Sequence, residues 1–282
     1  MSEDEPWTAD RLGRALQDRK KRLEAERRAA FLPLGIDAEC RWPASRLFHR
    51  HSMLGPAWTP ILTADEVEAL TLDRGYKRYP GADRVALPRP AAPNATLEDA
   101  IASRHSERSF ADRPVSLDAV ATLMRLGAGV TADQEVPRRA APSPGALYPV
   151  ETYVFALSVN DLAPGLYHYD ALDHAFETVA APRGREATRA FLPSDLHRAG
   201  PALLIALTVA FPRVQMKYLE RGYRFALLEA GHIGQNLVLA AAALDLAAVP
   251  VGGFWDEPFN DALGLDPDEE AVVYAVIVGH RP

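Results

Sequence analysis

The chain has 282 residues, of which 48% are hydrophobic, and carries a formal net charge of −7. That is enough apolar content for one full core plus an appendage, and the acidic balance removes any global electrostatic case for nucleic acid. A single cysteine, Cys40, excludes an internal disulfide framework and fits a reducing cytoplasm. The opening MSEDEPW is acidic and has no apolar stretch, so no secretion signal is expected. The longest apolar run, 237–252, contains Asp245 and falls short of the roughly 20 residues a membrane span needs. The expectation is a soluble cytoplasmic protein that engages neither nucleic acid nor a membrane.

Taken in order, residues 10–30 hold a basic patch (Arg11, Arg14, Arg19, Lys20, Lys21, Arg22, Arg27, Arg28) with Leu12, Leu16 and Leu23 at helical spacing. It reads as a solvated amphipathic helix, or more sharply as a docking helix for an acidic partner. Residues 32–60 read as irregular, with four prolines and the run FHRHSM at 48–53. His49 and His51 have no further ligand cluster around them, so no metal is expected. LPRPAAP at 87–93 reads as a polyproline-like linker. The expected division is therefore 1–93, a helical and irregular extension with its linker, and 94–282, the main domain.

The main domain opens on Thr96-Leu-Glu-Asp99, a capping-box start for a helix through Ser103. A second capped helix runs from Ser116 to the glycines at 127 and 129, followed by a polar, proline-rich loop over 130–148. VETYVFALSV at 150–159 is β-prone and apolar on both faces, hence an interior strand. Residues 165–169 and 175–179 form a hairpin around 170–173, and 202–210 and 271–278 are further buried strands.

The stretch 215–255 has apolar residues at helical spacing with no proline before Pro250, which predicts one helix of about 30 residues, about 45 Å long. Its start is charged, its end is apolar all round, and Gly231 and Gly234 lie between. Two glycines cost about 1 kcal/mol each in helix propensity, which points to a ligand or partner chain pressed on the backbone there. Strands mixed with helices around this element make the domain α+β.

No dinucleotide fingerprint, Walker loop, HExxH, paired CxxC or GxSxG is present. Arg104, Ser106 and Arg108 place two guanidinium forks and a hydroxyl within five residues, as a phosphate monoester requires, or are simply surface residues. Pro142-Ser-Pro-Gly-Ala-Leu-Tyr-Pro149 is a rigid turn or a place of close backbone approach. The same pair of readings applies to the glycines of VGGF at 251–254. Lys217 and Tyr218 are a general base and acid, or a snorkelling lysine beside a packed aromatic.

The ordered set FHRHSM, YPGADRVALPRP (79–90), RHSERSF (104–110), PSPGALYP (142–149), GLYHYD (165–170) and the run from Lys217 to Phe254 resembles the FMN-dependent nitroreductase fold family. Within it, the closer resemblance is to the SagB-type (McbC-like) azoline dehydrogenases, and it covers the chain from about residue 48 onward. The resemblance implies an α+β nitroreductase-like fold with a mixed or antiparallel sheet around a long central helix, in an intertwined homodimer with flavin sites at the subunit interface. It implies that Arg104, Ser106 and Arg108 hold the FMN phosphate, with Arg281 as a further ligand. Pro142, Ser143, Gly145, Ala146, Leu147 and Tyr148 would line the isoalloxazine and ribityl chain, Gly252 and Gly253 would lie against the flavin, and Gln235 and Asn236 match the flavin-contact pattern. Lys217 and Tyr218 become the catalytic pair. The implied reaction is oxidation of a peptide thiazoline or oxazoline to the thiazole or oxazole, beside a cyclodehydratase partner, with the basic 10–30 segment as a candidate docking surface. Two other readings remain: an NAD(P)H-dependent FMN reductase of nitro compounds or quinones, and a flavin-free scaffold subunit.

Overall fold

The computed structural model describes residues 43–54, 65–66, 76–90, 92–132, 137–180, 188–193 and 200–282, together with Lys21. The basic segment 10–30 otherwise lies outside the described residues. The chain divides after Gly55 into two compact units. In the first, helix α1 spans Pro43–His51, so FHRHSM is largely helical where irregular chain was expected. Pro43 opens this helix, where its missing N–H costs nothing.

The second unit is built on a seven-stranded sheet. Its strands are β1 Arg84–Ala86, β4 Val150–Ala156, β5 Gly165–Asp170, β6 Ala175–Ala180, β7 Leu203–Ala210, β8 Leu246–Val251 and β9 Glu270–His280, in the order β1-β6-β5-β4-β7-β9-β8. Every pairing is antiparallel. Strands β2 Val130–Ala132 and β3 Arg138–Arg139 form a separate small hairpin within the expected loop. The expected interior strand at 150 sits between β5 and β7 with all seven residues buried. The expected linker at 87–93 begins differently. Residues 84–86, just before it, pair with β6, and Leu87 is buried in the main core; the described residues 88–90 and 92–93 belong to no helix or strand.

Helices α2 Leu97–Ser103 and α3 Leu117–Ala128 start where their caps predict. The Thr96 side chain accepts from the Asp99 N–H while the Asp99 carboxylate accepts from the Thr96 N–H, and Ser116 accepts from the Ala119 N–H. The long helix is not continuous. It is α4 Phe211–Tyr218 and α5 Glu220–Ala243, broken at Leu219 by φ 49° and ψ −138°. A leucine in the left-handed half of conformational space ends regular helix there. The expected apolar last third, 237–243, is helical and ends α5; after a turn at Asp245 (φ 56°), residues 246–251 become edge strand β8, zipped to β9. Helix α6 Asp256–Leu263 follows.

Alternation along the strands sorts the core into two faces. Leu203, Ile205 and Leu207 join the cluster made with α3 and α5, whereas Leu204, Ala206, Tyr153 and Ile277 face Phe191, Phe259 and Leu263. On α5, Ala226, Ala230, Ile233 and Leu237 form the buried stripe. Gly234 is accounted for within this chain. A Cβ there would sit 2.4 Å from the Tyr274 ring, so the glycine admits β9 rather than a ligand. Gly231 faces open space.

The face bearing Tyr153 also buries an ionic layer that the apolar strand reading did not anticipate. His168 Nε2 lies 3.2 Å from Glu151 and its Nδ1 3.0 Å from Glu177. Arg213 reaches Glu151 at 2.7 Å, Arg84 reaches Glu177 at 3.0 Å, and Lys77 reaches Glu270 at 2.7 Å. Burial acts on His168 to lower its pKa, but bonds and charges from Glu151 and Glu177 outweigh it and hold the imidazole above its ordinary value. Burial likewise pushes Glu151 upward, yet Arg213, His168 and Arg139 together bring it down to about 2. These pairs strap residues 77–84 across the sheet.

Candidate active site

The turn 142–149 enters β4 through strained backbone. Gly145 (φ 62°), Ala146 (φ 55°) and Tyr148 (φ 45°) are left-handed, and only the first is a residue for which that is free. Each of the other two costs on the order of 1–3 kcal/mol and persists because its surroundings enforce it. The Tyr148 N–H donates to Ser143 Oγ at 2.8 Å, Arg213 donates to the Tyr148 carbonyl at 2.6 Å, and the Arg139 N–H donates to the Tyr148 hydroxyl at 3.2 Å. The Arg139 guanidinium lies 4.6 Å and 4.9 Å from the Tyr76 and Tyr148 ring centres. Asn236 donates to the Ala140 carbonyl at 3.4 Å, holding the approach to the turn from α5.

What the strained turn presents is Gly145. A Cβ at this position would stand 2.8 Å from Tyr218 Oη and 2.9 Å from Lys217 Nζ. The two side chains that the sequence singled out at the end of α4 therefore converge on the glycine of the proline-rich turn, 72 and 73 positions away in the chain. Both are half-buried. The Lys217 nitrogen lies 5.3 Å from the Tyr218 ring centre, and Phe225 packs edge-on against that ring at 5.0 Å. An amine and a phenol over exposed glycine backbone are the side-chain types that general acid–base chemistry uses. The left-handed Leu219 directly follows the pair, so strain brackets it on both chain segments.

A second group of expected residues gathers elsewhere. Arg104 caps α2, and the chain then runs beside β8, with Ser106 bridged to Ala248 and the Glu107 N–H donating to the Ala248 carbonyl at 3.0 Å. A cleft there is lined by Arg104, His105, Glu107, Val238, Ala242 and Arg281, with Ser103 and residues 246–248 completing it. Arg281 also pairs with the exposed Asp245 at 3.0 Å. Ser106 and Arg108 are exposed and do not line this cleft. The donor chemistry fits a phosphate monoester: two guanidinium groups share the cleft, and Glu107 Oε1 is turned onto the Arg108 and Ser109 N–H groups. Gly252 and Gly253 follow β8 with no atom within 4 Å of where a Cβ would be, which leaves their backbone approachable. Gln235 is exposed on α5.

The two groups sit toward opposite ends of α5. Lys217 and Tyr218 precede its first residue, and the arginine cleft reaches Val238 and Ala242, about 30 Å along a helix of this rise. Sequence reasoning missed three residues that shape the turn: Arg139, Arg213 and Glu229. Glu229 was findable, since it falls three after Ala226 and four before Ile233, in the buried phase of the helix.

A profile of the nitroreductase family matches residues 101–280. MJ1384 of Methanocaldococcus jannaschii, provisionally named a nitroreductase, is 30% identical over 184 residues, covering 65% of this chain and 91% of MJ1384. The microcin B17-processing protein McbC of Escherichia coli is 35% identical over 134 residues, 46% of this chain and 49% of McbC, so the match spans about half of that protein. Among solved structures, the Escherichia coli microcin synthetase McbBCD complex with truncated pro-MccB17 bound contains a chain of the same fold. Its TM-score is 0.57 at 23% identity, over 84% of this chain and 92% of that one.

Proposed function

Since the chain belongs to the nitroreductase family, we propose that it is an FMN-dependent dehydrogenase that oxidises a thiazoline or oxazoline ring in a peptide to the aromatic thiazole or oxazole. The observation that carries this reading is the convergence of Lys217 and Tyr218 on Gly145. The likeness to McbC, a peptide-processing protein by name, supports a peptide as substrate. FMN, when bound, supplies the two-electron acceptor. The chain supplies the rest. Arg104 and Arg281 hold the phosphate, with the Ser106 hydroxyl and Arg108 beside them. The turn Pro142–Tyr148, Gln235, Asn236, Gly252 and Gly253 give the flat ring its walls. Aromatisation removes a proton and a hydride from adjacent ring carbons; Lys217 takes the acidic proton at Nζ, and the Tyr218 hydroxyl orients that nitrogen and relays the proton onward.

In this reading the protein is a homodimer. One chain carries the phosphate cleft and the Gly145 turn at opposite ends of α5, so pairing along this helix lets the arginines of one subunit complete the turn of the other. The exposed Leu97, Ile101 and Leu228 on α2 and α5 support such a surface, being 68%, 57% and 59% accessible. Among the described residues no helix is long and apolar enough to cross a membrane, and the proposed setting is the cytoplasm, beside a cyclodehydratase that makes the azoline.

The test is an absorption spectrum of the purified protein, followed by anaerobic addition of an azoline-bearing peptide. A flavin band that bleaches with the peptide supports the proposal. Bleaching only by NAD(P)H replaces it with a nitro or quinone reductase, and no band after FMN is supplied replaces it with a scaffold role. Light scattering that finds a monomer sinks the shared-site arrangement.

A further inference from the structure

Behind the Gly145 turn lies a carboxyl group that the proposed chemistry does not use. Glu229 is 2% accessible on the inner stripe of α5. Its Oε1 accepts from the Val150 N–H at 3.4 Å, its Oε2 is buried with no hydrogen-bond partner, and the Ser143 hydroxyl stands close enough to act on its pKa. Ser143 in turn accepts the Tyr148 N–H at 2.8 Å. The carboxyl is thus bonded where the strained loop enters β4 and lies beside Ser143 at the loop's start, and the loop's apex faces Lys217 and Tyr218. We propose that Glu229 is a positioning residue: gain or loss of a proton on its carboxyl changes how the turn presents Gly145 to Lys217 and Tyr218, and so how tightly the turn grips a bound flavin.

The surroundings explain why this group changes protonation at all. The charged groups facing it are Arg139 from β3 and Arg213 from α4, and both act to lower its pKa without overcoming burial. Arg213 is committed to Glu151 at 2.7 Å and to the Tyr148 carbonyl, and Arg139 is held between the Tyr76 and Tyr148 rings. Burial therefore dominates, opposed by the Ser143 hydroxyl, Arg139, the Val150 N–H and Arg213, and it pushes the Glu229 pKa up to about 7. The ionised form draws the Ser143 hydroxyl and the Val150 N–H more strongly and pulls the turn toward α5. The neutral form loosens it. Since the proton and the flavin act on one turn, each alters the affinity of the other by the same factor.

The proposal about flavin grip rests on the FMN reading, but its first test does not. In apoprotein labelled with 15N-glycine, the Gly145 amide signal should shift between pH 5.5 and 8.5 with a midpoint near 7, and that shift should vanish in Glu229→Gln. Ser143→Ala should shrink it. An unmoving Gly145 signal in the wild type, or an equal shift in Glu229→Gln, overturns the proposal. FMN titration by fluorescence quenching then separates the two ideas. The wild type should bind FMN at least about fivefold more weakly at pH 6 than at pH 8, and Glu229→Gln should keep only the smaller pH dependence that titration of the FMN phosphate itself gives. A pH-dependent Gly145 signal with no FMN binding at any pH would keep the positioning role and discard the flavin. FMN binding that is independent of pH in the wild type overturns the coupling.

Discussion

Two buried polar regions flank β4, and they are built on opposite terms. In the layer around His168, the six carboxylate oxygens of Glu151, Glu177 and Glu270 all have partners: Arg213, Lys77, Arg84, His168, Tyr79, Tyr153 and Thr208 supply them. Its carboxylates and imidazole stand on ordinary strand backbone. At the Gly145 turn, one Glu229 oxygen is left without a partner, and left-handed residues cluster at 145, 146, 148 and 219. Buried polar networks that are fully satisfied rigidify a fold, whereas unsatisfied groups and backbone strain collect where a ligand is handled. The first region holds the 77–84 strap to the sheet. The second is where chemistry is expected.

That contrast can be broken by substitution. The largest effect should be catalytic. Lys217→Ala should lower ring oxidation by about 10²–10⁴-fold, with flavin still bound and the thermal midpoint unchanged; turnover equal to wild type removes Lys217 from the mechanism. Next is the layer: His168→Ala leaves Glu151 and Glu177 facing each other without their shared partner, and should cost about 3–5 kcal/mol in urea unfolding. A cost below about 1 kcal/mol would mean that the layer does not brace the sheet.

Acid probes the same region more gently. Glu151 is depressed in the folded state from 4.5 to about 2, so its contribution is complete above pH 4.5 and is lost as pH falls toward 2. At 1.36 kcal/mol per unit this is about 3 kcal/mol. Glu151→Gln should flatten that part of the stability profile, and an unchanged slope assigns the acid loss elsewhere. For the raised groups the sign reverses. The stability that His168 contributes is present at low pH and lost as pH rises through its folded value, and that of Glu229 is lost between pH 4.5 and about 7. The smallest of these effects lies at the second cleft. Arg104→Ala removes one charge-assisted bond, about 1.5–3 kcal/mol or some ten- to hundredfold in FMN affinity, read by the flavin content after dialysis. Full loading would place the phosphate elsewhere.

How much of this was legible depended on range. Thr96, Ser116 and the glycines at 127 and 129 act within one helical turn, and the helices they bound were read correctly, as were the hairpin at 165–180 and the strands at 150, 203 and 270. The approach of Lys217 and Tyr218 to the proline-rich turn was not legible from spacing; family resemblance gave the pair and the turn separate roles, and Gly145 lies beside both side chains. The ionic layer escaped because its members are single polar residues, one or two per strand, each in an apolar run. They make sense only once β4, β5, β6, β7 and β9 lie side by side with Glu151, His168, Glu177, Thr208 and Glu270 on one face.

The sequence by itself determined the element types wherever caps, alternation or β-branched runs act locally, and it marked Gly234 as a point of close approach. Only the tertiary structure decided what approaches it, which is Tyr274 of the same chain. It also decided that Leu-Ala-Ala-Val-Pro-Val, alanine-rich and adjoining a helix, becomes a strand, because β9 offers an open edge to pair with. The break at Leu219 belongs to the same class. A left-handed leucine has no local signal; it stands where the chain turns from α4 into α5, two helices that the sequence read as one.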